Sequence, residues 1–216
     1  MTQQLAPGLS GDSAVLAADD ALDAVALGQL AALPGPFLPW TDYSMRPSAI
    51  VAVLTDVLLA GRQRVVELGS GNSTVYLARL ARQHGLTVQI TTVDHDAQWA
   101  DATGAALARE QLSAFVDVVH APLKDGWYDR AALPTQSEVD LLVIDGPPAF
   151  QPGMGLAREP ALDHFAPLLT RGATVVLDDA HRPGEQQVLA AWSERHDRHF
   201  RLERGGYGVS SPWTSS

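Results

Sequence analysis

The spacing of hydrophobic and polar positions changes near residue 61. Before it, residues 13–33 and 48–60 carry apolar side chains at helical spacing, and the proline-rich segment 34–47 between them is irregular. After it, short runs that are apolar almost throughout alternate with helical patterns as far as residue 196. Such alternation predicts a parallel β-sheet covered by helices on both faces.

The pattern predicts one α/β domain, with residues 1–60 as an N-terminal helical cap and lid segment and residues 61–216 as the core. Seven strands are expected, the last antiparallel, at 64–69, 87–94, 115–121, 139–146, 173–179, 199–205 and 207–211. Four core helices are expected at 73–85, 97–113, 161–169 and 184–196. Ser48 is expected to cap the helix that precedes the core, and Gly61, Gly85 and Gly172 to follow helix ends.

Composition narrows the possible partners and location. The 216 residues carry a net charge of −10, contain no cysteine and include one lysine, Lys124, so disulfides, thiolate ligands and a nucleic-acid partner are not expected. No apolar run approaches the ~20 residues of a membrane span, which predicts no membrane partner. Residues 1–15 lack the basic and apolar regions of a secretory signal, and a cytoplasmic location is expected.

The turn after the first core strand predicts a nucleoside site. Gly69 and Gly71 permit a tight turn and close approach of a ligand to the backbone, and free N–H groups at the helix start near Ser73 can hold an anion. Asp94 ends the next strand, where an acid commonly accepts hydrogen bonds from ribose hydroxyls. The alternative is that the glycines only form a turn and Asp94 only ends a strand.

Glu67 separates two kinds of nucleotide ligand. A dinucleotide site needs a glycine where Thr74 stands, and a carboxylate just before the turn would repel a pyrophosphate. An acid there suits a ligand that carries positive charge, such as the amino group and sulfonium of S-adenosylmethionine. Replacement of Glu67 should therefore weaken cofactor binding. A nicotinamide-dependent oxidoreductase and a non-catalytic cofactor-binding protein remain the alternatives.

Five motifs carry a resemblance to a known family: ELGSGNST from residue 67, TTVDHD from 91, VVHAPL from 118, LVIDGPP from 142 and VVLDDAHRPGE from 175. Together they resemble class I S-adenosylmethionine-dependent methyltransferases, and most closely the small bacterial O-methyltransferase-like group. The resemblance covers about residues 44–211. It implies a Rossmann-like class I fold and methyl transfer to a hydroxyl of a small molecule, in secondary metabolism.

The resemblance also implies which residues hold S-adenosylmethionine. Six would contact its methionine portion or carboxylate: Glu67, Gly69, Ser70, Gly71, Asn72 and Ser73. Asp94 would bind the ribose diol, with His95 beside it. Three would flank the adenine: Ala121, Pro122 and Leu123.

Acidic residues follow two further strands. In the strand order of these methyltransferases, Asp145, Asp178 and Asp179 converge beside the methyl group, where such carboxylates suit Mg²⁺. Metal-dependent catechol-type O-methyltransferases resemble this arrangement, with Asp after strand four and Asp-Asn after strand five. The lysine that those enzymes place three residues after the first Asp is Pro148 here. Asp145 and His181 are therefore the predicted catalytic residues, with His181 as the base.

Structural roles are the alternative for these acids. Asp178 or Asp179 could cap the helix near Pro183, and Asp145 could orient the Gly-Pro-Pro turn. The DGPPAF sequence superficially resembles the D-P-P-Y motif of enzymes that methylate nucleic-acid amines, but Gly146 interrupts it.

Two segments without a regular helix or strand pattern flank the predicted site. Residues 37–48, which contain Trp40 and Tyr43, form either a flap over the site or a segment packed on the sheet. Residues 151–159 form a loop in which Arg158 is expected to meet an acidic substrate. Trp127 and Tyr128 are expected to pack at an edge.

Overall fold

The computed structural model describes residues 10–210, with side chains described from residue 19 onward. The prediction on a secretory signal therefore falls partly outside the described residues, as does the end of the last predicted strand at Ser211. Among the helices that are described, none combines the length and apolar character needed to cross a membrane.

Six helices and nine strands make up the described chain. The helices are α1 (Ser10–Leu30), α2 (Pro47–Ala60), α3 (Asn72–His84), α4 (Ala97–Arg109), α5 (Pro160–Phe165) and α6 (Pro183–His196). The strands are β1 (Arg64–Leu68), β2 (Gln89–Asp94), β3 (Val116–His120), β4 (Leu123–Lys124), β5 (Trp127–Tyr128), β6 (Val139–Ile144), β7 (Leu169–Leu177), β8 (Arg201–Glu203) and β9 (Tyr207–Ser210).

Seven of the strands form one sheet in the order β3-β2-β1-β6-β7-β9-β8. The first five are parallel, and β9 runs antiparallel to both β7 and β8. This confirms the predicted Rossmann-like, mostly parallel sheet of seven strands. Chain order reverses direction at β1, which pairs with β2 on one side and β6 on the other. Ligands of open α/β sheets bind at such a switch point, beside the carboxyl ends of the strands.

Alternate residues of the central strands bury both faces of the sheet. Val65 of β1 faces a cluster that includes Ile50 of α2 and Leu77 of α3. Val66, its neighbour, faces a second cluster that includes Phe165 and Trp192 from α5 and α6. Burial on both faces explains why these strands are apolar without alternation. Since α2 shares a cluster with β1, the N-terminal helices pack on the same sheet as the rest of the chain.

Some element boundaries differ from the sequence predictions. Ser48 lies inside α2, which begins at Pro47, and its backbone N–H and hydroxyl donate to Asp23 of α1 at 3.0 and 2.6 Å. Asp23 therefore supplies the cap that was assigned to Ser48. Gly172 lies within β7 and ends no helix. The β4–β5 hairpin was missed, and it buries Trp127 and Tyr128 instead of leaving them at an edge.

Candidate active site

A cavity of about 310 Å³ lies at the carboxyl ends of β1, β2, β6 and β7. Its walls come from the turns after these four strands and from the segments that cover them: Asp42, Tyr43, Ser44, Gly69, Ser70, Asp94, His95, Trp99, Tyr128, Asp145, Gly146, Pro148, Phe150, Arg158, Asp178, Asp179 and Arg182. A second cavity of about 430 Å³ adjoins it, shares Ser70 and Trp99 as walls, and reaches the start of α3. The switch point of the sheet therefore opens into one continuous cleft.

Gly69 makes the turn after β1 because no other residue fits there. Its φ of +99° is one that residues with side chains rarely adopt. A Cβ atom would also lie 3.1 Å from the backbone of Asp145 and Gly146, which follow the neighbouring strand β6. The first glycine of the motif thus lets two loops of the cavity wall approach each other.

Glu67 lies beneath this turn and lines neither cavity. It is completely buried, and its Oε2 accepts hydrogen bonds from the hydroxyls of Thr74 and Thr92. Thr74 Oγ1 in turn accepts from the Gly71 N–H at 3.0 Å. Burial raises the pKa of Glu67, and hydrogen bonds from Ser73, Thr74 and Thr92 only partly offset this. Glu67 Oε2 thus braces β1, β2 and α3. Its Oε1 has no hydrogen-bond partner among the described residues, and the contact with the cofactor stays a prediction.

Asp94 lies at the cavity wall and holds the glycine turn. Its Oδ2 accepts from the N–H and hydroxyl of Ser70 at 2.9 and 2.8 Å, and its Oδ1 accepts from the Asp96 N–H at 3.0 Å. Burial alone would raise the pKa of Asp94, but hydrogen bonds from His95, Asp96 and Ser70 outweigh it and lower the pKa. The carboxylate is therefore ionised at neutral pH, beside His95, which also lines the cavity.

The remaining predicted cofactor residues fall into two groups. Three open α3 at the second cavity, namely Gly71, Asn72 and Ser73. Three others line neither cavity: Ala121 is buried, and Pro122 and Leu123 are exposed where the β4–β5 hairpin begins. The adenine contacts of this last group stay a prediction.

The predicted acidic residues do converge. Asp145, Asp178 and Asp179 each place a carboxylate oxygen within 4.8 Å of the others. Burial and the neighbouring Asp178 raise the pKa of Asp145 well above its usual range, although Arg158 opposes this. Burial and Asp179 raise the pKa of Asp178 to about 7, again opposed by Arg158. Carboxylate oxygens of Asp145 and Asp178 lie within 4.8 Å of each other, so the protonation of one affects the other.

Arg158 supplies a positive charge to this cluster from within the chain. Its side chain is only 4% exposed, and its guanidinium lies 3.2 Å from both Asp145 Oδ1 and Asp179 Oδ2. Arg182 lies 2.8 Å from Asp179 Oδ2 on the outer side. Its partners in the structure are thus acids of the cavity wall, and a contact between Arg158 and an acidic substrate stays a prediction.

These contacts decide how well the cluster fits a divalent ion. Mg²⁺ needs near-octahedral oxygen ligands at about 2.0–2.1 Å and keeps several waters. Here two of the three carboxylates, those of Asp145 and Asp179, already face a guanidinium at ion-pair distance. The residues present therefore do not fit the predicted Mg²⁺ site.

His181 lies outside the cavity. It is exposed, and its ring packs beside Gly206, where a Cβ atom would lie 2.8 Å from His181 Nδ1. A base must reach the proton that it removes, and Asp178 lines the cavity whereas His181 does not. The alternative that Asp178 or Asp179 caps the next helix also fails, since α6 begins after Arg182 without a side-chain cap.

Sequence reasoning missed three aromatic residues of the cavity: Trp99, Tyr128 and Phe150. Tyr128 lines the cavity and is 2% exposed, and its buried hydroxyl has no hydrogen-bond partner among the described residues. Trp99 lies in the first turn of α4 and lines both cavities. The position of Trp99, five residues after Asp94, could have indicated that it lies near the site. The position of Tyr128 could not be predicted, because it depends on the β4–β5 hairpin.

The lid segment combines both predicted behaviours. Trp40 stacks on Tyr76 with ring centroids 6.4 Å apart, and Arg79 donates to the carbonyl of Pro36 at 2.6 Å, so this part is packed. Tyr43 is 67% exposed and lies across the cavity mouth, 5.7 Å from the ring of Phe150. An anchored segment thus carries the exposed side chain of Tyr43 at the first cavity.

The class of protein follows from comparison of the sequence with family models. Residues 66–180 match the model described as a methyltransferase domain, which covers more than half of the chain. The chain therefore belongs to this methyltransferase family. A search of curated proteins finds no match. Family membership favours the methyltransferase interpretation over the nicotinamide-dependent oxidoreductase.

Solved structures show the same fold at low sequence identity. The S-adenosylhomocysteine-bound methyltransferase of Podospora anserina has a TM-score of 0.66 and 13% identity, over 99% of this chain and all of that one. An O-methyltransferase of Bacillus cereus in complex with S-adenosylhomocysteine gives 0.56 and 17%, over 89% and 91%. The O-methyltransferase TomG of Streptomyces achromogenes, involved in tomaymycin synthesis and in complex with S-adenosylmethionine, gives 0.55 and 16%, over 91% and 96%.

Proposed function

We propose that this chain transfers the methyl group of S-adenosylmethionine to a hydroxyl oxygen of a small molecule. The observation that carries the proposal is that one cavity joins the glycine turn and Asp94 on one side to the Asp145–Asp178 pair on the other. A methyl donor on the first side and an acceptor on the second would meet in that space. The solved relatives that hold this cofactor or its product support the choice of ligand.

On the cofactor side, Asp94 is the ionised group that would accept hydrogen bonds from the ribose diol. The amide groups at the start of α3, beside the second cavity, would face the carboxylate of the methionine portion. The free hydroxyl of Tyr128 would contact the cofactor between these points. Trp99 offers a ring for the adenosyl group.

On the acceptor side, Asp178 would act as the base. The hydroxyl oxygen attacks the methyl carbon in line with the sulfonium, the O–C bond forms and the S–C bond breaks. S-adenosylhomocysteine leaves, and the hydroxyl proton passes to the carboxylate of Asp178. Tyr43 and Phe150 at the mouth favour an aromatic acceptor, which would stack on their rings. This scheme needs no divalent ion, because Arg158 already faces the carboxylates.

The test uses S-adenosylmethionine with a labelled methyl carbon and a panel of small hydroxylated aromatic compounds. We expect the label in a methyl ether, and a strongly reduced rate in the Asp178→Asn variant. A product methylated on nitrogen or carbon would contradict the proposal. So would cofactor consumption that is unchanged in the Asp178→Asn variant. Binding of the cofactor without turnover of any compound would favour the non-catalytic alternative.

A further inference from the structure

The four carboxylates behind the cavity need positive charge. Asp145, Asp178 and Asp179 lie together, and Glu185, whose side chain is 2% exposed, joins them at the start of α6. Like charges this close repel one another unless a cation or proton offsets them. A cation placed among these carboxylates would offset their repulsion.

Arg158 supplies this cation, and each nitrogen of its guanidinium donates a hydrogen bond. Its Nε donates to the Pro147 carbonyl at 3.2 Å, its Nη1 to the Asp178 carbonyl at 3.1 Å, and its Nη2 to the Asp145 carbonyl at 2.6 Å. The same Nη atoms make the ion pairs with the carboxylates of Asp145 and Asp179. Burial would lower the pKa of Arg158, but the surrounding acids raise it, so the side chain stays charged.

The backbone that carries Arg158 is also fixed in place. Gly155 packs so closely on Gly184 that a Cβ atom at Gly184 would lie 2.2 Å from the Gly155 carbonyl oxygen. The Glu159 carbonyl accepts a hydrogen bond from Trp192 Nε1 at 2.8 Å. Both contacts join the segment to α6, the helix that begins shortly after Asp178 and Asp179. The guanidinium is therefore held in the cluster by packing as well as by charge.

We propose that Arg158 is a permanent internal cation that takes the place of a divalent metal ion in this acidic cluster. Arg158 acts as a positioning residue: it holds the carboxylates of Asp145 and Asp179 in place. The inference deepens the proposed function, since it names the cation of that site. It makes two predictions: the wild-type protein has no use for a divalent ion, and loss of the guanidinium creates a site for one.

The test is a titration of the full-length protein with Mn²⁺, without cofactor or acceptor. Electron paramagnetic resonance measures the concentration of free Mn²⁺ at each step. We expect no saturable binding by the wild type up to millimolar Mn²⁺. The Arg158→Met variant should bind Mn²⁺ about tenfold or more tightly, because the carboxylates gain a vacant coordination space. The matched control is Arg182→Met, which removes a cation from the outer side of Asp179 and should gain no site.

Three outcomes would overturn the inference. One is saturable Mn²⁺ binding by the wild type that disappears in Asp179→Asn, a result that needs no folded Arg158 variant. Another is a folded Arg158→Met variant, verified by circular dichroism, that gains no Mn²⁺ affinity. The third is an equal gain in Arg182→Met. None of these measurements involves methyl transfer, so failure of the proposed function would leave them unaffected.

Discussion

The two sides of the cavity are built in different ways. On the cofactor side, Ser70, Asp94 and Thr74 hydrogen-bond to groups in the turns and first helix residues that follow two adjacent strands. On the acceptor side, the acids after β6 and β7 depend on Arg158, which comes from the irregular segment between β6 and α5. A local hydrogen-bond network sets the first side, and one buried ion cluster sets the second. Variants of the acceptor side should therefore reduce turnover, whereas variants of the cofactor side should reduce cofactor affinity.

The largest effect is expected from Asp178→Asn. Loss of the base should lower kcat by about 10²–10⁴-fold while the affinity for S-adenosylmethionine stays within about twofold. Steady-state kinetics and calorimetry measure the two quantities. Asp163→Asn is the control, because Asp163 lies on the surface and pairs with Arg195 and His196. A kcat within about twofold of the wild type would exclude Asp178 as the base.

The pH profile tests the same side without a substitution. The base acts only when ionised, and the pKa of Asp178 is raised to about 7. Activity should therefore rise with pH up to about 7 and level off above it, with a slope near tenfold per pH unit on the acid side. Initial rates across the pH range at saturating cofactor give the curve. An activity that is already maximal at pH 5 would be inconsistent with this base.

Asp94→Asn is the corresponding variant on the cofactor side. An uncharged amide loses charge-assisted hydrogen bonds to Ser70 and to the ribose diol, which at about 1.5–3 kcal/mol predicts roughly 10–100-fold weaker binding of S-adenosylhomocysteine. Calorimetry measures the affinity, with Asp101→Asn on the exposed face of α4 as the control. Unchanged affinity with a reduced kcat would reverse the assignment of the two sides.

Phe150→Ala should have a smaller effect, confined to the acceptor. Loss of the ring that faces Tyr43 removes a stacking surface of about 0.5–1.5 kcal/mol, which predicts a roughly two- to tenfold higher KM for an aromatic acceptor. Leu202→Ala, an exposed apolar residue of β8, provides the comparison. A change in cofactor affinity instead would place Phe150 on the other side of the cavity.

Glu67→Gln should have the smallest effect. An amide can still accept hydrogen bonds from Thr74 and Thr92, and burial already raises the pKa of the carboxyl group. Cofactor affinity should change by no more than about twofold, whereas Glu67→Ala should lower the melting temperature because the hydroxyls lose their acceptor. A loss of about tenfold in affinity with Gln would instead indicate that the charge acts on the cofactor.

The sequence predicted the glycine-turn side of the cavity better than the side that contains Arg158. The sheet, the glycine turn and Asp94 were predictable, since local spacing and the order of strands determine them. The convergence of Asp145, Asp178 and Asp179 also followed from strand order. The role of Glu67 was not predictable in detail, because burial depends on which way the strand faces. Arg158 was singled out, but its ion pairs with the acids were not predicted, since nothing local fixes where an irregular segment folds back. Tyr128 was missed because its two-residue strand is too short to give a pattern.

The central claim is that the glycine turn and Asp94 hold an adenosyl sulfur nucleoside beside the acidic pair. The most direct test is a calorimetric titration of the purified wild-type chain with S-adenosylhomocysteine and, separately, with NAD. The account predicts saturable binding of one S-adenosylhomocysteine per chain and no detectable heat from NAD. Absence of S-adenosylhomocysteine binding at millimolar concentration, or binding of NAD in its place, would contradict it.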